Sequence, residues 1–280
     1  MNDRLSSIQA AFEEAGLEFD ETWDFVARTD PDFAEAYLAM RNVPWRKNHL
    51  SDRMKRLVEL TINSATTHLN RPEIQPCVRR ALDAGATPAE ILECLELAAT
   101  VGIHTMNIGV PLLVEVLEER GRPGPSPLTE EQERLKEWFT RERGYWHSFF
   151  DELLELDPEM FEAYTNFSTT PWRTGPLTPA EKELIYISYD IATTHLYVPG
   201  TKLHIRNALN HGASVGQVLE VMELASMIGV QGLTATIPAL LRERDAGPGP
   251  STLPAAGGSA QAGRSARLLN RVVASVNRLR

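Results

Sequence analysis

The chain has 280 residues, 42% of them hydrophobic and 24% charged, which is typical of a globular protein with one large domain or two ordinary ones. Two cysteines cannot build a disulfide framework, and the net charge of −10 argues against a general nucleic-acid binder. No stretch approaches about 18 consecutive apolar residues, so we expect no membrane-spanning helix. The N-terminus has no basic and apolar leader, so the sequence indicates a cytoplasmic protein.

The predicted elements begin with a helix within residues 5–29, after which the chain repeats itself. Between residues 30 and 117, matching motifs recur 127 positions later with no gap. The matches include Asp30-Pro31 with Asp157-Pro158, Pro44-Trp45-Arg46 with Pro171-Trp172-Arg173, and Ala65-Thr66-Thr67-His68-Leu69 with Ala192-Thr193-Thr194-His195-Leu196. A duplication accounts for this agreement, so the body consists of two related repeats of about 90 residues each.

Both repeats are predicted to be helical. Helix-capping sequences stand at Thr87–Glu90, Thr129–Gln132, Thr178–Glu181 and Ser214–Gln217. The run 181–194 contains no Gly or Pro and carries apolar residues on one helical face, so it predicts a long helix. Gly85 and Gly212 follow short helical runs, as glycines at helix C-termini do. Because no segment alternates as a strand would, we predict an all-α fold in which two tandem repeats pack as a pseudo-dimer.

Changes in composition predict the domain boundaries. The first repeat with its N-terminal helix covers 1–120, a linker 121–128, the second repeat 129–245, a disordered linker 246–263 and a basic amphipathic tail helix 264–280. The tail carries five arginines and no acidic residue. It would suit an acidic partner or a membrane surface, and a frayed end with no specific role is the alternative.

A polar stripe runs along the first long helix of each repeat. In the second repeat it consists of Glu183, Tyr186, Asp190 and Thr194, and in the first of Arg56, Glu59, Asn63 and Thr67. A polar stripe usually faces solvent, but threonines are poor choices for an exposed helix. A solvated face and the wall of a polar site therefore both remain open.

The histidines of the recurring Thr-Thr-His string, His68 and His195, are candidate acid–base residues because imidazole exchanges a proton near neutral pH. A capping or core role would also keep a histidine in both repeats. His204 follows His195 by nine residues, where the first repeat has a cysteine, and His104 stands where the second repeat has Gln231. The repeats thus differ at their reactive positions, which suggests one working site and one supporting site.

The recurring Pro-Trp-Arg places Arg46 and Arg173 as candidate anion holders, because a guanidinium binds a carboxylate through two parallel hydrogen bonds. Trp172 would form one side of an apolar pocket beside them. Tyr186 and Thr194, from the polar stripe, complete the candidate substrate-binding set. A buried tryptophan next to a surface arginine is the alternative.

Several motifs that would indicate other chemistries are missing from the sequence. It contains no Gly-x-Gly-x-x-Gly, no phosphate-binding Walker loop and no Gly-x-Ser-x-Gly. It also lacks His-Glu-x-x-His and Cys-x-x-Cys, so neither a metal site nor a cofactor is expected. His195 and His204 could still meet at a metal ion.

The string Thr193-Thr194-His195-Leu196, followed by His204-Ile-Arg-Asn-Ala-Leu and Val218-Leu-Glu-Val-Met-Glu-Leu, resembles the carboxymuconolactone decarboxylase family, which includes the alkylhydroperoxidase AhpD-like proteins. The first repeat resembles it through Ala81-Leu-Asp-Ala-Gly-Ala-Thr-Pro-Ala-Glu, so the resemblance covers 30–118 and 157–243. It implies an all-helical fold and assembly of single units as trimers or hexamers. For a fused pair it implies a homotrimer, which is a pseudo-hexamer.

The resemblance also implies roles for particular residues. In the AhpD-like branch a Cys-x-x-Cys pair works with a glutamate and a histidine. Glu183 and His204 match these two positions, and His195 falls where the first cysteine would be. The first repeat has Arg56 and Cys77 in place of the glutamate and the histidine. Because no thiol pair is present, a dithiol peroxidase is excluded.

What remains resembles the cysteine-free decarboxylase branch, which converts 4-carboxymuconolactone to 3-oxoadipate enol-lactone and CO2. The resemblance implies a cofactor-independent lyase for a small anionic substrate, either a carboxylated lactone or a related oxo acid. Arg173 or Arg46 would hold the substrate carboxylate. His195 would stabilise the oxyanion, and His204 or Glu183 would return the proton. A related isomerase and a non-catalytic ligand-binding or scaffold oligomer are the alternatives.

Overall fold

The structure is a computed structural model that describes residues 2–246, so the predictions of a disordered linker and of a basic tail helix concern a part of the chain that lies, apart from Ala246, outside the described residues. Within that range the elements are helical and no strand occurs, which confirms the predicted all-α class. The first repeat contains α1 (Asn2–Glu14), α2 (Glu21–Thr29), α3 (Pro31–Arg41), α4 (Val43–Lys47), α5 (Asp52–Ser64), α6 (Arg71–Asp83), α7 (Pro88–Ala99) and α8 (His104–Glu119). The second contains α9 (Glu130–Arg143), α10 (Asp151–Leu156), α11 (Pro158–Thr174), α12 (Pro179–Asp190), α13 (Val198–Asn210), α14 (Val215–Ser226) and α15 (Gln231–Ala246). Short 3-10 helices occupy Thr100–Ile103, Ser148–Phe150 and Met227–Val230.

The N-terminal segment proves to be part of the repeat. It forms two helices, α1 and α2, instead of the single one predicted, and their counterparts are α9 and the 3-10 helix with α10. Aromatic side chains at equivalent positions join these helices to the rest of each repeat. Phe12, Trp23 and Tyr37 cluster in the first repeat, as Phe139, Phe150 and Tyr164 do in the second. The duplicated unit is therefore longer than the matching sequence motifs.

The predicted helix ends are confirmed with one correction. Capping boxes form at Thr87, Thr129, Thr178 and Ser214, and Gly85 and Gly212 adopt left-handed backbone with φ of 88° and 90°. However, α12 ends at Asp190, so the prediction of a helix to residue 194 was wrong. The backbone N–H of Tyr197 donates to the Asp190 carbonyl at 2.8 Å, which closes a tight turn with Leu196 at φ 52°. The Thr-Thr-His string lies on this turn, which sends α13 back alongside α12.

The two repeats share a large apolar core. Helices α5 and α7 of the first repeat pack against α12 and α14 of the second, and Leu57, Leu97 and Ile185 are fully buried among them. The compact unit that holds these elements runs to Gly232, and residues from Leu233 onward form a separate unit. Because each repeat supplies half of the core, neither repeat buries its apolar faces alone.

Two buried carboxylates fasten the repeats to each other at equivalent positions. Glu93 on α7 accepts a hydrogen bond from the backbone N–H of Leu177 at 2.7 Å and pairs with Lys182 at 2.6 Å. Glu220 on α14 accepts from the backbone N–H groups of His49 and Leu50, both at 2.7 Å. Each repeat thereby holds the loop that leads into the central helix of the other.

Two helical stretches, Pro88–Glu119 and Val215–Ala246, are long and apolar enough to cross a membrane by length and composition. The sequence had indicated none, because it was examined for uninterrupted apolar runs. Half of the first stretch is buried in the protein, and core helices of water-soluble proteins meet the same criterion. The expectation of no membrane-spanning helix therefore stays a prediction.

Candidate active site

Two of the polar residues singled out in the second repeat, Tyr186 and His204, line a cavity between helices of the two repeats. Its empty volume is about 350 Å³, part of it open to solvent. The chemically active side chains that line it are His104, Asn107, Arg143, Tyr186, Tyr197 and His204. His104 and Asn107 lie on α8 of the first repeat. The other four side chains come from the second repeat. We call the cluster of Glu183, Asp190, His195 and His204, with His104 and Arg143, the second-repeat site.

A buried hydrogen bond joins His204 of α13 to Glu183 of α12. His204 Nδ1 lies 2.5 Å from Glu183 Oε2, and Glu183 is 0% exposed. The Asn207 amide donates to the other carboxylate oxygen at 3.2 Å, and the Tyr186 ring stacks on the imidazole with centroids 4.4 Å apart. These contacts fix the ring, because both its edge and its face are held. The Nε2 edge is thereby directed towards Asp190, whose Oδ2 lies 3.9 Å away.

A second cluster lies beside that pair, where His104 Nδ1 and His195 Nε2 are 2.7 Å apart. The Tyr197 ring stacks on His104 at 3.7 Å. Burial lowers the pKa of His104 to about 3, with His195 and His204 adding to the effect, and burial also lowers the pKa of His195. Burial raises the pKa of Asp190 to about 7, opposed by His204 and reinforced by Glu183. The two stacked imidazoles are therefore neutral at neutral pH.

Arg143 brings a buried positive charge to the cavity at the end of α9. Its side chain is 5% exposed, and Nη1 donates to the Ser168 carbonyl at 3.2 Å and to the Tyr186 hydroxyl at 3.3 Å. The guanidinium also lies over the Trp172 ring, 4.7 Å from its centroid. Within residues 2–246 no carboxylate forms an ion pair with it. A buried guanidinium without a counter-ion is a strong candidate for binding an anion.

The structure brings together only some of the predicted site residues. Glu183, Tyr186, His195 and His204 meet at the second-repeat site, as does Asp190 from the same stripe. Trp172 stands behind Tyr186 and donates its Nε1–H to the Tyr186 hydroxyl at 3.2 Å. Thr194 is exposed on the turn, and Arg46 and Arg173 are exposed and absent from the described cavity lining. His68 lies in the equivalent place in the first repeat.

That equivalent place, the first-repeat site, holds different chemistry. Gln231 of the second repeat lies 2.5 Å from His68 Nε2 and forms hydrogen bonds with Asn63 at 2.9 Å and Asn70 at 2.7 Å. Cys77 occupies the position of His204, and burial raises the pKa of its thiol to about 11. A thiol of this kind stays protonated at neutral pH and is a poor nucleophile. The first-repeat site is consistent with a structural role.

Sequence reasoning missed Arg143 and the pairing of His104 with His195. The residue 127 positions before Arg143 is Gly16, so the repeat gives Arg143 no counterpart that would draw attention to it. His104 differs from its counterpart Gln231, which was noticed, but the sequence does not reveal that each residue enters the site of the other repeat. Only the packing of the repeats makes this exchange visible.

Comparisons with known proteins agree with the fold and with the duplication. The model of the carboxymuconolactone decarboxylase family matches residues 31–106 and 158–240, which together make up more than half of the chain. A crystal structure of a provisionally named gamma-carboxymuconolactone decarboxylase subunit from Burkholderia xenovorans LB400 is 45% identical, with a TM-score of 0.81. The match covers 85% of this chain and 96% of that one. No curated protein matches the chain.

Proposed function

Because the chain belongs to the carboxymuconolactone decarboxylase family, we propose that its second-repeat site is that of a decarboxylase-like lyase acting on a small carboxylated lactone or a related oxo acid. One observation carries the proposal. His204, which is hydrogen-bonded to Glu183, and Arg143, which has no carboxylate partner among the described residues, line the same cavity. An anion holder and a proton-transfer group next to each other are what loss of CO2 requires.

Arg143 holds the substrate carboxylate in this proposal, in place of Arg173 and Arg46. Its two hydrogen bonds to neutral oxygens position the guanidinium without neutralising it. The low dielectric of the buried site strengthens the attraction to an anion. The guanidinium lies over the Trp172 ring and lines the cavity together with Tyr145, Tyr164 and Tyr186.

The reaction breaks the bond between the substrate carbon and its carboxylate, and CO2 leaves. The electron pair moves onto the neighbouring carbonyl of the substrate, which becomes an enolate oxyanion. The N–H of His195 stabilises that oxygen, and His204 delivers a proton to the carbon. Buried Glu183, bonded to His204 Nδ1, stabilises the positive charge on the ring before the transfer, and solvent then returns the proton. The substrate itself is the electron sink, so this scheme calls for no organic cofactor.

The test is CO2 release from a panel of carboxylated lactones and β-keto acids. We expect the wild-type chain to turn over at least one of them, and R143Q and H204Q each to lose about 100-fold or more in kcat/KM. R141Q is the matched control, because Arg141 lies exposed on the same helix with its charge directed away from the core. Binding of these acids without any CO2 release would favour the ligand-binding alternative instead.

We also propose that the chain assembles as a homotrimer. The name of the Burkholderia relative describes that protein as a subunit. On α7 and α8 of this chain, Leu92, Ile108, Leu112 and Leu113 are each at least half exposed. Apolar patches of this kind are typical of an interface between copies. Analytical ultracentrifugation would find one species of three chains, and a monomer would contradict the proposal.

A further inference from the structure

We propose that His104, Asp190 and His195 bind a divalent transition-metal ion, with His204 near enough to supply a fourth ligand. One nitrogen or oxygen from each of the first three residues lies within 4.8 Å of the others. His104 has a neighbour at each of its nitrogens: Nδ1 lies 2.7 Å from His195 Nε2, and Nε2 lies 3.8 Å from Asp190 Oδ1. Ligand atoms around a tetrahedral zinc ion lie about 3.3 Å apart, since each bond is about 2.0–2.1 Å long. One imidazole binds an ion through one nitrogen, so His104 would use either Nδ1 or Nε2, and the set of three ligand atoms within 4.8 Å contracts on binding.

Asp190 supplies the second, independent argument. Its side chain is 0% exposed, and neither carboxylate oxygen accepts a hydrogen bond from a described residue. Buried polar groups almost always have partners, and an unpartnered carboxylate costs more than a neutral group. Two imidazole nitrogens face the carboxylate: His104 Nε2 lies 3.8 Å from Oδ1, and His204 Nε2 lies 3.9 Å from Oδ2. These distances are too long for hydrogen bonds but suit two ligands on either side of one ion.

The surroundings hold these side chains in place as they do around known metal sites. Glu183 binds the far nitrogen of His204, and Tyr197 stacks on the His104 ring. Carboxylates that orient ligating histidines in this way are common next to metal ions. At Gly200 an added Cβ would lie 2.4 Å from Asp190 Oδ2, so the glycine provides the space that the carboxylate occupies.

The first-repeat site shows what the same framework looks like without such a cluster. Asn63, Gln231 and Cys77 stand where the second-repeat site has Asp190, His104 and His204. There the amides of Asn63 and Gln231 bond to each other at 2.9 Å, so the carboxamide is satisfied by its neighbours. The unpartnered carboxylate and the third imidazole therefore belong to the second-repeat site, and the repeat framework alone does not impose them.

Imidazole and carboxylate ligands suit Zn²⁺, Fe²⁺, Mn²⁺ and Ni²⁺, and a site with three or four protein ligands leaves room for a substrate oxygen. With the ion bound, the enolate oxygen of the proposed reaction would be stabilised by the ion, and His195 would serve as its ligand. The sequence-based expectation of no metal would then be wrong. The metal proposal does not depend on the lyase proposal, because binding is measured without any substrate.

The experiment uses the full chain, treated with a chelator and then titrated with Zn²⁺ by calorimetry near neutral pH. Co²⁺ serves as a second probe, because its visible absorption reports the coordination geometry. We expect about one Zn²⁺ per chain, and H104Q and D190N each to weaken binding by at least about 10-fold. These variants copy the residues of the first-repeat site. H68Q is the matched control, because it changes the equivalent histidine of the other site, and its affinity should equal that of the wild type.

Circular dichroism of the metal-free variants checks that they fold. If D190N does not fold, H104Q alone decides the test. Binding of far less than one ion per chain by the wild type would overturn the proposal. So would a wild-type affinity in H104Q. If the chain binds Zn²⁺ but releases no CO2, the metal-site proposal is supported and the lyase proposal is contradicted. If it releases CO2 but binds no Zn²⁺, only the lyase proposal is supported.

Discussion

The first-repeat and second-repeat sites occupy equivalent places in one framework and contain opposite arrangements of charge. In the first, the cations have acidic partners: Arg56 pairs with Glu59 at 2.8 Å and Arg80 with Glu73 at 3.0 Å. In the second, the guanidinium of Arg143 forms no ion pair with a described carboxylate, and Asp190 accepts no hydrogen bond from a described residue. Satisfied polar groups stabilise a fold, whereas buried groups that lack partners are typical of sites that bind or react.

The comparison also teaches that neither site belongs to one repeat alone. His104 of the first repeat completes the second-repeat site, and Gln231 of the second completes the first-repeat site. The exchanged residues differ, histidine in one direction and glutamine in the other, and this difference adds to those between Asp190 and Asn63 and between His204 and Cys77. Fusing the repeats in one chain allows this asymmetry, since identical separate units would carry identical sites.

The largest effect is expected where the repeats hold each other. E93Q removes the charge that pairs with buried Lys182, whereas E220Q removes one of two backbone hydrogen bonds at the equivalent loop. We expect E93Q to lower the free energy of unfolding by about 3–5 kcal/mol and E220Q by about 1–3 kcal/mol. Urea denaturation of both variants measures the difference, and equal losses would show that the ion pair is not what separates the two contacts.

The next effect concerns the two histidines of the Thr-Thr-His turns. H195A should lower the rate of CO2 release by about 100-fold or more, because it removes the group proposed at the developing oxyanion. H68A alters the equivalent turn of the first-repeat site and should stay within about threefold of the wild type. Steady-state kinetics on both variants, with thermal unfolding as the check on folding, decides the matter. A loss below threefold in H195A would remove His195 from the mechanism.

A smaller effect is expected at the group that positions His204. E183Q keeps the size of the side chain but removes the charge that stabilises a protonated imidazole at 2.5 Å. We expect kcat to fall by about 10-fold to 100-fold with little change in KM, since Glu183 does not touch the substrate in the proposed scheme. R56Q, at the equivalent position of the first-repeat site, is the comparison variant. A rise in KM alone would mean that Glu183 contributes to binding.

The smallest effect is expected from the arginine that the sequence favoured. Arg173 is exposed, and its guanidinium lies 3.5 Å from the Thr170 hydroxyl on its own helix. R173A should change kcat/KM by no more than about twofold, as surface substitutions usually do. Measured beside R143Q on the same substrate, it tests which arginine holds the carboxylate. A large rise in KM in R173A would return that role to Arg173.

Much of this site was predictable because its parts are local or family-wide. The match of Glu183 and His204 to a family pair implied that the two would meet, and the structure places them 2.5 Å apart. The polar stripe was correctly identified as far as Asp190, where the helix ends. Thr194 does not lie on the stripe, because the turn before Tyr197 interrupts the helical spacing. Nothing in the sequence indicates this turn, since no residue in that run is a helix breaker. The turn is set by hydrogen bonds back to Ala192 and Asp190, and helix propensity alone does not anticipate them.

By itself, the sequence determined the duplication, the all-helical class and the main helix starts, because capping residues and apolar spacing act over a few neighbouring residues. The tertiary structure decided which charges remain without partners. Arg143 and His104 reach the second-repeat site from helices far from it in sequence, and their burial depends on how the repeats pack. Electrostatic environment is a property of all the neighbours in space, and those neighbours come from both repeats.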